Sequence, residues 1–329
     1  MSWRGNIKAG FALLMALMLS VACSRRPLEE MNDGLYLKLN LNLDVHNLDK
    51  PHTKPELMRV LFYDPETYEF VSDDYVGPDG GYISAQPGKY KMVVYNFDTE
   101  ATIIRGESSV PKLEAYTNEI PSATRTNLLT KLNAASRVDY VAPSEAEKIV
   151  YEPDHLFVAR EDVEIFHRTG TQTLHAEAHT IVETYYLGVR LQGGKNMASA
   201  QALLSGQAAG NNFGFEGGMI EESVILYFDM MPGTDENGNE VLETTFNTFG
   251  KLPKEISHLW LTVVVTNNQG DVEYRQWDIT DEFKDNPEKW IFIEEDPIVL
   301  PDPPPSTGGG GGFQPDVDDW DTVYEDIII

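Results

Sequence analysis

Five leucines at alternate positions open the patterned part of the chain. Leu35, Leu37, Leu39, Leu41 and Leu43 fall on one face, and Tyr36, Lys38, Asn40, Asn42 and Asp44 on the other. A period of two over ten residues predicts a half-buried β-strand. Met58 to Tyr63 predicts a second strand, ending at the turn signal Asp64-Pro65. Tyr82–Ala85 and Lys89–Asn96 flank Pro87-Gly88 and predict a hairpin through a type II turn, with proline setting φ and glycine supplying positive φ. Leu128, Leu129 and Leu132 at helical spacing mark Pro121 to Ala135 as a short helix or covering loop. His155–Ala159 and Val163–Phe166 read as strands, and Thr173 to Leu191 as a long strand or a strand pair. Ser199 to Leu204, following Gly193-Gly194, reads as one or two helical turns capped by Ser199.

Two hairpins are expected further on. Val224–Phe228 and Val241–Phe246 enclose the turn-rich Pro232 to Asn239, and Leu259–Val265 and Val272–Trp277 enclose Asn267–Gly270. Asp281–Phe283 suits a helical turn, and Trp290–Ile293 a last core strand. Strands do not alternate with long amphipathic helices, and no nucleotide-binding glycine motif is present. The pattern predicts a mainly β fold of two sandwiches in series, over 34–157 and 158–296. A proline-rich then glycine-rich tail over 297–329 ends in the apolar Val323–Ile329. That end reads either as a disordered tail or as a strand for a sheet edge, its own or a partner's.

The first 33 residues follow another pattern. Arg4 and Lys8 precede an apolar run from Phe11 to Ala22, shorter than the ~20 residues of a membrane-spanning helix. Cys23, the only cysteine, stands directly after it. These features look like a bacterial lipoprotein signal over 1–22, with cleavage before Cys23, acylation of that residue, and a polar tether over 23–33. The other reading is an ordinary secretory signal followed by a chance cysteine. Leu19 is displaced by one position from the usual leucine three before the cysteine.

Charge narrows the partners. Fifty-three acids against 25 bases give a net charge of -28, which opposes nucleic-acid binding. It also opposes electrostatic adhesion to anionic lipid, so membrane attachment must come from acyl chains, each buried methylene adding ~0.8 kcal/mol. With 41% hydrophobic residues and 10% aromatics the chain is that of a folded protein. Once Cys23 is acylated it has no cysteine left for disulfides or thiol chemistry.

Candidate chemistry is sparse. His175, Glu177 and His179 would share one strand face, where a surface metal or a solvated face are the two readings, and the zinc-protease spacing is absent. Asp235-Glu-Asn-Gly-Asn-Glu240 begins like a calcium loop, but Gly238 is at the fourth position and Phe246 at the twelfth, so it reads as a hairpin turn. Leu204-Ser205-Gly206 lacks the flanking glycines of a nucleophile elbow. Trp260, Trp277, Trp290 and Trp320 could line a sugar platform, although the first three lie in apolar strands that favour core packing. No catalytic residue, metal site or cofactor is expected.

Several stretches together carry a resemblance. They are Cys23-Ser-Arg-Arg-Pro-Leu-Glu29, Gln86-Pro-Gly-Lys-Tyr-Lys-Met-Val-Val-Tyr-Asn96, Ala198–Gly206, Thr244–Gly250, Trp277–Asp281, Gly310–Phe313 and Val317–Trp320. With them the chain resembles Bacteroides-type lipoproteins related to fimbrial anchor and assembly subunits (the FimB/Mfa2-like group). The resemblance implies two tandem transthyretin-like β-sandwich domains, with Tyr90 entering the core, and a non-enzymatic protein lipid-anchored in the outer membrane through Cys23. It further implies pilin-type or other β-sandwich subunits as partners, met through β-strands. The alternative is a surface carbohydrate-binding lipoprotein.

Overall fold

The structure is a computed structural model that describes residues 35–44, 55–134, 147–167, 169–215, 218–252, 258–284 and 286–303. The fold is mainly β, built from two sheets. The leucine stripe forms β1 (Leu35–Leu43), with Leu37, Leu39, Leu41 and Leu43 buried and Tyr36, Lys38 and Asn42 exposed. It lies between β10 (Gly170–Thr180), a parallel partner, and β4 (Gly80–Ile83), an antiparallel one. A second leaf holds β3 (Phe70–Val76), β2 (Met58–Tyr63), β5 (Gly88–Asn96) and β9 (Phe157–Ile165) in that order. The leaves join at one corner, where His179 and Thr180 of β10 meet Val158 and Phe157 of β9. Their inner faces share one core, including Leu39, Phe62, Met92 and Ala176.

The other sheet runs β16 (Val272–Asp278), β15 (Trp260–Asn267), β12 (Met197–Asn212), β13 (Met219–Thr234), β14 (Glu240–Thr248), β11 (Glu183–Gln192), β17 (Trp290–Val299). Strand β13 serves both ends of this sheet, pairing β12 from Met219 to Met230 and β14 from Met231 to Thr234. Leu187, Leu204, Leu226, Leu242, Val263 and Ile291 lie in its common core. Helix α1 (Ser122–Ala134) forms where leucine spacing predicted it. Leu128 and Leu132 pack with Leu203, Ile225 and Val264 on the opposite face of β12, β13 and β15. β6 (Thr102–Arg105), β7 (Glu114–Thr117) and β8 (Lys148–Tyr151) complete the sheet. A third apolar cluster joins the two sheets, with Leu61, Tyr63, Val93 and Tyr95 against Ala115, Ala208, Phe213 and Phe249.

Three expectations are corrected. Ser199 to Leu204 is extended chain within β12, not helix. That strand has β13 and β15 on either side, the main core beneath and α1 above, so both faces are apolar and the period of two disappears. The strands either side of Pro87-Gly88 are not hairpin partners, because β4 pairs with β1 while β5 pairs with β2 and β9. The corner carries the chain between leaves, and Gly88 does not take the positive φ of a type II turn. The boundary at 157/158 falls inside β9: β9 and β10 belong to the first sheet, while β6, β7, β8 and α1, which precede that boundary, join the second. Pairings between segments far apart in sequence leave no trace in local pattern.

Other readings are borne out. Thr173 to Leu191 is a strand pair, β10 and β11, that crosses between sheets. The β15–β16 hairpin forms as expected; β13 and β14 also make a hairpin, but through Met231–Thr234 and Glu240–Glu243, whereas Val224–Phe228 pairs with β12. Tyr90 enters the core as the resemblance implied, its ring edge-on to Phe62 at 5.5 Å and its hydroxyl donating to the Gln86 carbonyl at 3.0 Å.

Candidate functional site

Cys23, the expected lipidation residue, Trp320 and the Val323–Ile329 end lie outside the described residues. The other sites singled out in the sequence can be placed. His175, Glu177 and His179 alternate outward along β10, and His179 Nδ1 stands 3.2 Å from Asp44 Oδ2. Among the described residues no group of three or more His, Cys, Asp and Glu side chains is arranged to hold a metal ion. Asp235 closes the β13–β14 hairpin. Its Oδ1 accepts the Asn237 and Asn239 amides at 2.9 and 2.7 Å, and its Oδ2 accepts Asn239 Nδ2 and the Arg190 guanidinium at 2.9 and 2.7 Å. The Asn239 and Arg190 bonds hold this carboxyl well below the usual carboxylate range. The Ser205 hydroxyl donates to the His258 carbonyl at 3.1 Å and accepts the Trp260 amide at 2.9 Å, so its proton is directed at backbone and not at a base.

A polar cleft of about 500 Å³ opens where the two sheets meet, lined by Glu56, Asn96, Asp98, Asp154, His155 and Asn247 among others. Local chain geometry explains its polarity. Asp154 Oδ2 accepts three successive amides, of Glu100, Ala101 and Thr102, at 2.9, 2.7 and 2.9 Å. Asn96, at the end of β5, accepts the Phe157 amide at 2.8 Å and donates to the His155 carbonyl at 3.1 Å. From the second sheet, Asn247 donates its amide to Glu152 at 2.8 Å and its side chain to the Pro153 carbonyl at 3.0 Å, and accepts the Thr184 hydroxyl at 2.8 Å. The Asn96 and Asn247 side chains thus satisfy backbone groups of the 152–157 crossover, and the Asp154 carboxylate those of residues 100–102. The cleft is a polar seam between the sheets.

The tryptophans separate by environment. Trp277 packs against the main core of the second sheet and Trp260 is half-buried. Trp290, expected in the core, is 56% exposed at the start of edge strand β17 and stacks on Tyr186 with ring centroids 3.7 Å apart and planes at 15°. Burial, with Glu243 beside it, pushes the Tyr186 phenol up to about 12. The signal for this exposure lies in the strand itself, since a period of two that buries Ile291 and Ile293 must turn Trp290 and Phe292 outward.

Comparison with known proteins agrees with the fold. A curated relative, the candidate fimbrium anchoring subunit Fim4B of Bacteroides ovatus, is 28% identical over 254 residues, covering 77% of this chain and 68% of that protein. The crystal structure of a candidate adhesin from Bacteroides ovatus matches with a TM-score of 0.57 and 24% identity, covering 86% of this chain and 98% of that one. The fimbrial anchor protein Mfa2 from Porphyromonas gingivalis matches with a TM-score of 0.41 and 14% identity, covering 75% of this chain and 82% of that one. The kinship with fimbrial anchor-related proteins implied by the sequence motifs is borne out. A family model described as "Domain of unknown function (DUF5119)" matches residues 22–229, more than half the length, and the chain belongs to that family.

Proposed function

We propose that this protein is held at the cell outer membrane by acyl chains on Cys23 and serves as a fimbrial anchor or assembly-associated component. In this reading it acts through β-strand contacts with pilin-type or other β-sandwich subunits, without catalysis. The observation that carries the proposal is the relationship to Fim4B over 77% of the chain. The shared core within each sheet and the inward Tyr90 support a transthyretin-like reading of both halves. The engagement of Ser205 and Asp235 in backbone-directed bonds favours a non-enzymatic role.

We assign the partner-binding strand to Val323–Ile329, whose β-prone apolar sequence suits pairing with a sheet edge. Edge strand β3 is unsuited to receive such a strand, because Asp74 accepts the Tyr75 and Ser84 amides at 2.8 and 2.7 Å and charge crowds the edge. The test joins fractionation with affinity capture. Wild-type protein is expected in the outer-membrane fraction, co-purifying with fimbrial subunits, and Cys23→Ala in the soluble fraction. Membrane retention of Cys23→Ala would refute the anchor, and capture of no β-rich subunit from intact cells would refute the assembly role.

A further inference from the structure

Trp290 is an exposed indole held in one position by its surroundings. One ring face lies against Tyr186, and among the described residues β17 is the last strand of its sheet, so the opposite face of this 56% exposed side chain is open. The backbone leading into it is constrained. Lys289 has φ 53°, its carbonyl accepts the Tyr186 amide at 2.9 Å, and Asn286 Nδ2 donates to the Trp290 carbonyl at 2.9 Å. A left-handed backbone at a non-glycine residue persists where its surroundings over-determine it, and such positions gather at functional sites.

The rings continue along the strand. Phe292 lies over Gly188, where an added Cβ would stand 2.5 Å from the ring, and the Arg190 guanidinium sits 5.2 Å from the Phe292 centroid. Hydrogen-bonding groups frame this pavement. Glu243 accepts the Tyr186 hydroxyl at 2.9 Å, and Glu294 and Asp235 accept from Arg190 at 3.0 and 2.7 Å.

This combination selects a ligand class. A pyranose has an apolar C–H face that stacks on an aromatic ring and an equatorial rim of hydroxyls that needs polar partners. Glu294, exposed farther along the same strand, supplies an acceptor for the rim of a neighbouring sugar unit. The one guanidinium is already neutralised by two carboxylates, in a chain of net charge -28, so the surface disfavours uronic or sulfated sugars. Three rings ringed by charge are also far smaller than the roughly 800 Å² each partner of a stable protein pair buries. We propose that Trp290 and Phe292 along β17, with Tyr186 backing the indole, form a binding site for neutral polysaccharide, with one pyranose ring on the outer face of the Trp290 indole and the hydroxyls of the next sugar unit reaching Glu294. The proposal stands independently of the fimbrial role.

Affinity electrophoresis of the full chain in non-ionic detergent tests it, with gels containing hydroxyethyl cellulose, galactomannan, xylan or polygalacturonate. Retardation is expected in at least one neutral gel and not in polygalacturonate. Trp290→Ala is expected to weaken that binding at least tenfold, Trp290→Phe to keep part of it, and Trp260→Ala to leave it unchanged. Circular dichroism confirms the fold of each variant. The proposal is overturned by mobility unchanged in every neutral gel, by retardation in polygalacturonate alone, or by retardation that survives Trp290→Ala. Should Trp290→Ala fail to fold, Glu294→Gln takes its place, with weakened retardation expected and unchanged retardation overturning the site.

Discussion

Replacing Leu39 by alanine tests the register of the first sheet. Leu39 sits at the centre of β1 with 0% of its surface exposed, opposite Leu174 on β10 and Gly81 on β4. The change removes three carbons from a closed core. At ~0.8 kcal/mol per buried methylene the transfer loss is about 2.4 kcal/mol. Packing between two hydrogen-bonded neighbours limits collapse around the void, so the cavity adds to this, for a total of about 3–4 kcal/mol, inside the usual leucine-to-alanine range. The paired control is Lys38→Ala, one residue away on the exposed face, with an expected change within about 0.5 kcal/mol. Urea unfolding followed by circular dichroism reads both, with the midpoint falling for Leu39→Ala at an unchanged slope. A one-residue slip would exchange the two faces. Equal costs for the two variants, or a larger cost for Lys38→Ala, would refute the pairing of β1 with β10 and β4.

Tyr90→Phe deletes the hydroxyl that bonds the Gln86 carbonyl but leaves the ring against Phe62, and is expected to cost about 0.5–1.5 kcal/mol in the same assay. Tyr90→Ala also opens the core and should cost about 3–5 kcal/mol; equal costs would show that packing of the ring contributes nothing. Asp235 has a folded-state pKa below its unfolded value, so its contribution to stability is full above the unfolded pKa of about 3.9 and is lost as pH falls through the lower folded value. Carboxyl NMR titration should find Asp235 still ionised where exposed aspartates are half protonated, and a midpoint near 4 would contradict the bonding around it.

How far the fold was legible depends on what covered each strand. The β1 stripe, the strands of the β13–β14 and β15–β16 hairpins, and α1 each have one covered and one open face, or a local partner, and their patterns show it. β12 is buried on both sides, and its Ala200, Ala202, Leu203 and Leu204 read as helix because alanine and leucine favour helices when no neighbour is in view. The Pro87-Gly88 corner showed that the chain turns, but not which strands it would join. The candidate site was half legible. Trp290 stood out as an aromatic, and its neighbours Ile291 and Ile293 held the evidence for its direction. Tyr186 and Gly188 come from a strand a hundred residues earlier, and only their pairing with Trp290 and Phe292 gives them a role.

The parallel pairing of β1 with β10 also sets an order in time. Asp44 and His179, at the ends of these strands, are 135 residues apart. As the chain emerges during synthesis or export, the leucine stripe of β1 appears first and must wait for β10. β4 arrives sooner but covers only Leu37 to Asn40. Closing a loop this long costs entropy before its contacts form, so such pairings are slow and leave apolar edges open meanwhile. The first of the described strands to be made is thus among the last to be enclosed, and its apolar stripe is also a segment in need of protection until β10 follows.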